Sequence, residues 1–91
     1  MSIPSVVQVY AKLDYTIIVY FDDGRIIRRD IKPLVDKGGV FEALRHLDFF
    51  LNHVTVLDGT VAWSRDYDPA HSLDLDPLVL YEQGEAVTDQ E

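Results

Sequence analysis

Four aspartates in one short stretch, Asp66, Asp68, Asp74 and Asp76, have the chemistry to hold a hard cation such as Ca²⁺. Such cations are bound by several oxygen ligands that converge from one loop. The spacing departs from the calcium-loop pattern, because the sixth position counted from Asp66 is histidine instead of glycine and the twelfth is proline instead of glutamate. Solvated carboxylates and a helix cap explain the same residues, so we expect no metal site here.

Nucleophilic catalysis is the second chemistry to weigh, because His71, Ser72 and Asp74 are the residue types of a catalytic triad. Triads bring distant chain segments against a preorganised oxyanion hole, which neighbours in one loop rarely achieve. The other histidines, His46 and His53, do not share the helical spacing that presents two metal ligands together. We therefore expect no enzymatic activity, no catalytic residue and no cofactor. A small hydrolase or metal-binding protein using the loop from Asp66 to Asp76 is the alternative.

A cluster of basic residues, Arg25, Arg28, Arg29 and Lys32, offers a third possibility, a contact surface for a partner. The interleaved Asp30 weakens it as a phosphate-binding strip. A charged strand also discourages pairing between sheet edges, which is the simpler explanation. Arginine is nevertheless enriched at protein interfaces, so the cluster supports a protein partner as well.

Charge and composition exclude several classes of protein. The net charge of −8 comes entirely from the C-terminal part, and such a field disfavours nucleic acid and anionic membranes. No apolar run approaches the roughly 20 residues of a membrane span, and the start of the chain lacks the pattern of a signal peptide. The chain of 91 residues has no cysteine. We expect a single cytoplasmic domain, with no membrane and no direct nucleic-acid contact.

The segment YTIIVYFDDGRIIRRDI predicts a β-hairpin on which these side chains are placed. Its first strand alternates Tyr15, Ile17, Val19 and Phe21 on one face, which we expect to be buried. A two-residue turn would pair Val19 with Arg28. A three-residue turn with Gly24 in the left-handed conformation would pair Val19 with Ile27, and we favour it because it gathers more apolar side chains on one face. It also puts Arg29 on that face, where its head must reach water or a carboxylate.

The opposite face of this hairpin holds Ile18, Tyr20 and Ile26, which is more apolar than a freely solvated sheet face. We predict that these three residues, together with Arg28, form a partner-binding surface.

Shorter elements surround the hairpin. A strand over residues 5–11 precedes it, in which Val7, Val9 and Ala11 alternate with Gln8 and Tyr10 and should therefore share one face. A helix beginning at Pro33 should end at Gly38 and Gly39. An apolar stripe over residues 40–47 predicts a second helix, and Asp48 is expected to cap one further turn.

A second hairpin is predicted over residues 53–65, where a two-residue Asp58-Gly59 turn pairs Val56 with Val61 and Val54 with Trp63. Asp76 and Pro77 should begin a last helix, ending near Gly84. The expected fold is therefore α+β, an antiparallel sheet of about five strands in two hairpin units with short helices packed on one face. We place the domain at residues 5–83 and a disordered acidic tail at 84–91.

The segments YTIIVYFDDG, GGVFEALRHLDFF, VTVLDGTVAW and DLDPLVLYE, in this order, resemble the domain-of-unknown-function family 2442, a family of small bacterial domains. The likeness runs from about Val7 to Glu82. It implies a small α+β domain, and standalone members are similar to one half of paired toxin-antitoxin operons. No site residues carry over from it. Taken together, these features predict a non-catalytic protein-interaction or regulatory module that pairs with itself or with a small basic protein.

Overall fold

Two antiparallel sheets and four short helices make up the fold in a computed structural model that describes residues 4–64 and 72–87. The larger sheet has the order β1-β2-β3-β7 and the smaller β4-β5-β6. The strands are β1 (Val6–Ala11), β2 (Thr16–Phe21), β3 (Ile26–Asp30), β4 (Val54–Leu57), β5 (Thr60–Trp63), β6 (Leu73–Asp74) and β7 (Glu85–Ala86). The helices are α1 (Lys32–Lys37), a 3₁₀ helix (Gly39–Arg45), α2 (Leu47–Asn52) and α3 (Pro77–Gln83).

The α+β class predicted from the sequence is confirmed, whereas the strand count is not. The described residues form seven strands in two sheets, not about five in one. The two additional strands, β6 and β7, are two residues long each, which is too short for an alternating pattern to reveal.

The first hairpin has the three-residue turn, which we favoured because it places more apolar side chains on one face of the sheet. Val19 lies opposite Ile27 in the β2–β3 register, and the backbone N–H of Phe21 donates to the carbonyl of Arg25 at 2.9 Å. Gly24 has φ of 92°, the left-handed conformation that a side chain would strain. The register therefore follows from the glycine and from the need to bury one face.

A β-bulge changes the expected alternation of β1. Val6 lies opposite Phe21 and Gln8 opposite Tyr20, so Val7 is an extra residue without a partner. The inward position consequently belongs to Val6, which is 3% exposed, while Val7 is 58% exposed. The prediction that Val7 shares a face with Val9 and Ala11 was wrong, because the bulge interrupts the alternation of side chains between the two faces.

The second hairpin has the register that its turn predicts. Val54 pairs with Trp63 and Val56 with Val61. Positive φ at both turn residues, 51° at Asp58 and 76° at Gly59, is the signature of a two-residue type I′ turn.

Trp63 fills the centre of the molecule and is fully buried. Its indole N–H donates to the backbone carbonyl of Phe50 at 3.0 Å, and the two rings stack with centroids 5.7 Å apart. The indole is thus both packed and satisfied, since a buried N–H without an acceptor would be costly.

The helices confirm two of the predicted boundaries. Helix α1 ends at Gly38, whose φ is 78° and whose N–H reaches the carbonyl of Val35 at 3.2 Å. Helix α3 begins after Asp76, whose Oδ1 accepts from the N–H of Leu78 at 2.9 Å. Pro77 takes the first helical position, where its missing N–H is not needed.

The middle helical segment differs from the prediction in two respects. It is a 3₁₀ helix over Gly39–Arg45 followed by the separate helix α2. His46 occupies the N-cap position of α2 without a side-chain cap bond. Asp48 was expected to be that cap, but it lies in the first turn and accepts from the Nδ2 of Asn52 at 2.7 Å.

The core lies between the inner face of the larger sheet, the smaller sheet and the helices. Helix residues Val35, Leu44, Phe50 and Leu80 are buried in one cluster with the alternate residues Ile17, Val19 and Ile27 of the larger sheet. Strand β1 also reaches the smaller sheet, because the N–H of Val6 donates to the carbonyl of Gly59 at 2.8 Å. The helices therefore lie on one side of the larger sheet, as predicted.

Strand β7 falls within the stretch 84–91, for which we expect a disordered tail. Glu85 lies opposite Arg28 and Ala86 opposite Ile27, so the chain returns to β3 after α3. Residues 88–91 lie outside the described residues.

Candidate functional site

The face of the larger sheet that points away from the core carries the four residues predicted to bind a partner. In the register of β1, β2 and β3, Ile18 lies opposite both Tyr10 and Arg28, and Tyr20 lies opposite Ile26. Directly opposed residues share a face. The sheet therefore brings the four residues together with Tyr10 into one contiguous patch, which we call the outer face.

Exposure varies across the outer face. Tyr10 is 50% exposed and Ile18 only 7%, while Tyr20 and Ile26 are half-buried. The rings of Tyr10 and Tyr20 meet edge to face with centroids 5.8 Å apart. None of the described helices packs on this side, because their buried residues join the inner face. The outer face is consequently a partly exposed surface with two contacting tyrosines and two isoleucines.

Arg28 is tied to the outer face by a short ion pair. Its Nη2 lies 2.8 Å from Oε1 of Glu85, and the side chains are 36% and 70% exposed. An ion pair at this exposure adds little stability, but it holds the guanidinium of Arg28 beside Glu85. The sequence could not reveal this contact, because β7 has no periodic signal, whereas the alternation of β1 does point to Tyr10.

A polar cluster at the first turn was not anticipated from the sequence. The hydroxyl of Tyr81 on α3 donates to Oδ2 of Asp23 at 2.6 Å, and the guanidinium of Arg25 lies 4.9 Å from the Tyr81 ring centroid. The hydrogen bond from Tyr81 lowers the pKa of Asp23 below its usual value, and the same bond raises the pKa of Tyr81. These contacts hold α3 against the first hairpin.

The acidic segment is only partly within the described residues. Asp66, Asp68 and His71 lie outside them, so the calcium and triad hypotheses are not tested there. Asp76 is engaged as the cap of α3. Among residues 4–64 and 72–87, no three carboxylates or histidines come together as a metal site would require.

The remaining histidines that the structure describes flank α2. His46 stands at its start, and His53, at its end, stacks on Phe49 with ring centroids 5.3 Å apart.

Within residues 4–64 and 72–87, no helix has the length and apolarity to cross a membrane.

Arg29 lies on the inner face, opposite Ile17, as the register predicts. There it lines a pocket of about 200 Å³ beside Asp74 and Asp76. Neither an ion pair nor a hydrogen bond joins the Arg29 side chain to another described residue. The pocket is a second candidate site, on the opposite side of the sheet from the outer face.

Comparison with known families is decisive on one point. The family described as protein of unknown function (DUF2442) matches residues 6–86. The chain belongs to this family. The match spans the seven strands that the described residues form, including β7, and so extends past the likeness visible in the sequence segments. No curated protein and no solved structure matches the chain.

Proposed function

We propose that this DUF2442 domain is a non-catalytic protein-interaction module whose outer face binds a basic partner protein. The observation that carries the proposal is the contiguity of Tyr10, Ile18, Tyr20 and Ile26 on a sheet face that no described helix covers. Aromatic and apolar anchors of this kind, with an arginine beside them, are what interfaces are enriched in.

Charge favours a different protein over a second copy of this chain. At a net charge of −8, two copies repel each other, whereas a partner rich in Lys and Arg is attracted. The apolar patch would supply the contact and the carboxylate excess would supply the steering. In this proposal the chain is one half of a toxin-antitoxin-like pair in the cytoplasm, and its partner is a small basic protein.

The absence of catalysis is part of the proposal. Several residues with reactive side chains have structural contacts that account for their presence. Asp76 caps α3, His53 stacks on Phe49, and Asp23 holds the hydroxyl of Tyr81. These contacts support a binding role without requiring an active site.

The test is to isolate the tagged chain from its native cell, identify what accompanies it, and rebuild the complex from the two purified proteins. We expect a one-to-one complex with a protein that has an excess of Lys and Arg, weakening as salt is raised. Ile26→Lys should weaken binding at least about tenfold, as removal of an interface anchor does. Leu13→Lys is the matched control, since Leu13 is 74% exposed and lies in the connection between β1 and β2.

Three results would contradict the proposal. The first is a chain that stays monomeric in light scattering and accompanies no basic protein. The second is a homodimer, which would replace the basic partner by a second copy. The third is a complex that Ile26→Lys and Leu13→Lys weaken equally, because the binding surface would then lie elsewhere.

A further inference from the structure

The pocket beside Arg29 has an apolar wall and a charged rim. It opens between β3, the first helical segments and α3, and its apolar lining is formed by Ile31, Leu34, Phe41, Leu75, Val79 and Leu80. Its volume of about 200 Å³ is below the roughly 300–1,000 Å³ of pockets for drug-sized ligands. A ligand that fits this pocket is therefore small, and the lining favours one with an apolar body.

Arg29 is the residue that indicates a ligand-binding site and not only a gap in the packing. Its side chain is partly buried on the inner face of the sheet, among residues that are otherwise apolar. Within the described residues it has neither an ion pair nor a hydrogen bond. A guanidinium carries five donors in a planar fork that fits a carboxylate, so a ligand carboxylate would satisfy it.

The acidic residues at the rim indicate which second charged group the ligand has. Asp74 and Asp76 line the same pocket, and no ion pair joins either of them to Arg29. One positive and two negative side chains give the site a net charge of −1, which opposes a simple anion. A molecule with both a carboxylate and an ammonium group matches both signs.

We propose that this pocket binds a small apolar α-amino acid. The ligand carboxylate would lie on Arg29, its ammonium on Asp74, and its side chain against Phe41 and Val79. Arg29 stands on β3 of the larger sheet and Asp74 on β6 of the smaller one, so ligand binding would bridge the two sheets. This inference is independent of the proposed function, because the pocket and the outer face lie on opposite sides of the larger sheet.

The experiment is a titration of ¹⁵N-labelled protein with L-leucine, followed by amide chemical shifts. We expect saturable shifts at Ile31, Val79 and Leu80. Three analogues separate the contributions of the ligand groups: 4-methylpentanoate lacks the ammonium, isoamylamine lacks the carboxylate, and glycine lacks the apolar side chain. Each should bind at least about tenfold more weakly than leucine, the loss expected for one charge-assisted contact or for the buried side chain.

Variants assign the charges. Arg29→Gln should weaken leucine binding about tenfold or more, and Asp74→Asn should do so while leaving binding of 4-methylpentanoate intact or stronger. Lys32→Gln removes one positive charge from the exposed start of α1 and is the matched control, with unchanged affinity. Asp74 is exposed, so its variant remains informative if Arg29→Gln folds poorly.

The proposal is overturned if leucine produces no saturable shifts at these amides. Equal binding of leucine and 4-methylpentanoate would also overturn it, because the site would then recognise an anion and not an amino acid. A third contrary result is unchanged leucine affinity in well-folded Arg29→Gln.

Discussion

The two hairpins have the same plan, an Asp-Gly reversal between apolar strands, but the fold uses them differently. In the second hairpin, every residue of β5 is buried, from Thr60 at 5% to Trp63 at 0%. In the first, β2 and β3 bury the apolar residues of the inner face, whereas on the outer face Ile18 is buried and Tyr20 and Ile26 are only half-buried. Strand β5 of the second hairpin is thus part of the core, whereas the first hairpin has a candidate site on each of its two faces.

The difference arises from what surrounds each ribbon. Strand β5 lies between β4 and β6 in the smaller sheet. The indole N–H of Trp63 also donates to the backbone carbonyl of Phe50 on α2, and the hydroxyl of Thr60 donates to the carbonyl of Leu75 beyond β6. The described helices cover only the inner side of β2 and β3. Both candidate sites accordingly belong to the first hairpin, the outer face on one side and the Arg29 pocket on the other.

The largest expected effect contrasts the aromatic residues of the two hairpins. Trp63→Ala should cost about 3–5 kcal/mol of unfolding free energy, because it empties the centre of the core. Tyr20→Ala should cost only about 1 kcal/mol, since a half-exposed ring buries less area. Urea denaturation with unchanged m-values measures both. Similar losses for the two variants would show that the outer face is as structural as the core.

A smaller effect contrasts the two turns. Gly24 and Gly59 both have positive φ, and alanine at either should cost on the order of 1–3 kcal/mol. Gly59→Ala should be the worse, because its Cβ would stand 3.3 Å from Oγ of Ser5, whereas a Cβ at Gly24 meets nothing within 4 Å.

Asparagine tolerates positive φ better than alanine and separates strain from crowding. Gly24→Asn should recover most of the stability that alanine loses there, and Gly59→Asn should not. Equal recovery at both positions would mean that the Ser5 side chain moves aside easily. Crowding would then not distinguish the two turns.

Sequence reasoning succeeded where a local rule fixes the geometry. Asp58 and Gly59 permit one short turn, and that turn sets every pair from Val54 to Trp63. In the first hairpin, the same reasoning placed Arg29 on the inner face and the four partner-binding candidates on the outer one. These predictions depend only on period two and on a glycine that needs positive φ.

The sequence-based predictions failed where segments that are distant in the sequence come into contact. Strands of two residues, β6 and β7, have no periodicity, so neither the second sheet's third strand nor the Arg28–Glu85 pair could be foreseen. The bulge at Val7 is a one-residue departure that an alternating pattern hides. The pocket needs β3, β6 and α3 at once, and no local pattern reports that Arg29 and Asp74 share it.

The smallest expected effect concerns the hydrogen bond that joins the first turn to α3. Tyr81→Phe removes the hydrogen bond to Asp23, which is the main cause of the lowered pKa of that carboxyl. A carboxyl whose pKa is lower in the folded than in the unfolded state stabilises the fold above the unfolded value of 3.8, and this stabilisation disappears as the pH falls through the folded pKa.

Wild type should therefore exceed Tyr81→Phe in stability at neutral pH, and the gap should close as the pH falls below about 4, the ordinary range of an aspartate. Urea midpoints from neutral to acidic pH measure that gap. Tyr10→Phe is the control, because the only described partner of its hydroxyl is the amide of Gln8, which does not titrate. A Tyr81→Phe gap that stays constant into acid would show that the stabilisation by the hydroxyl does not depend on the charge of Asp23, because the substitution keeps the ring and its contact with Phe21, whose centroid is 5.1 Å away.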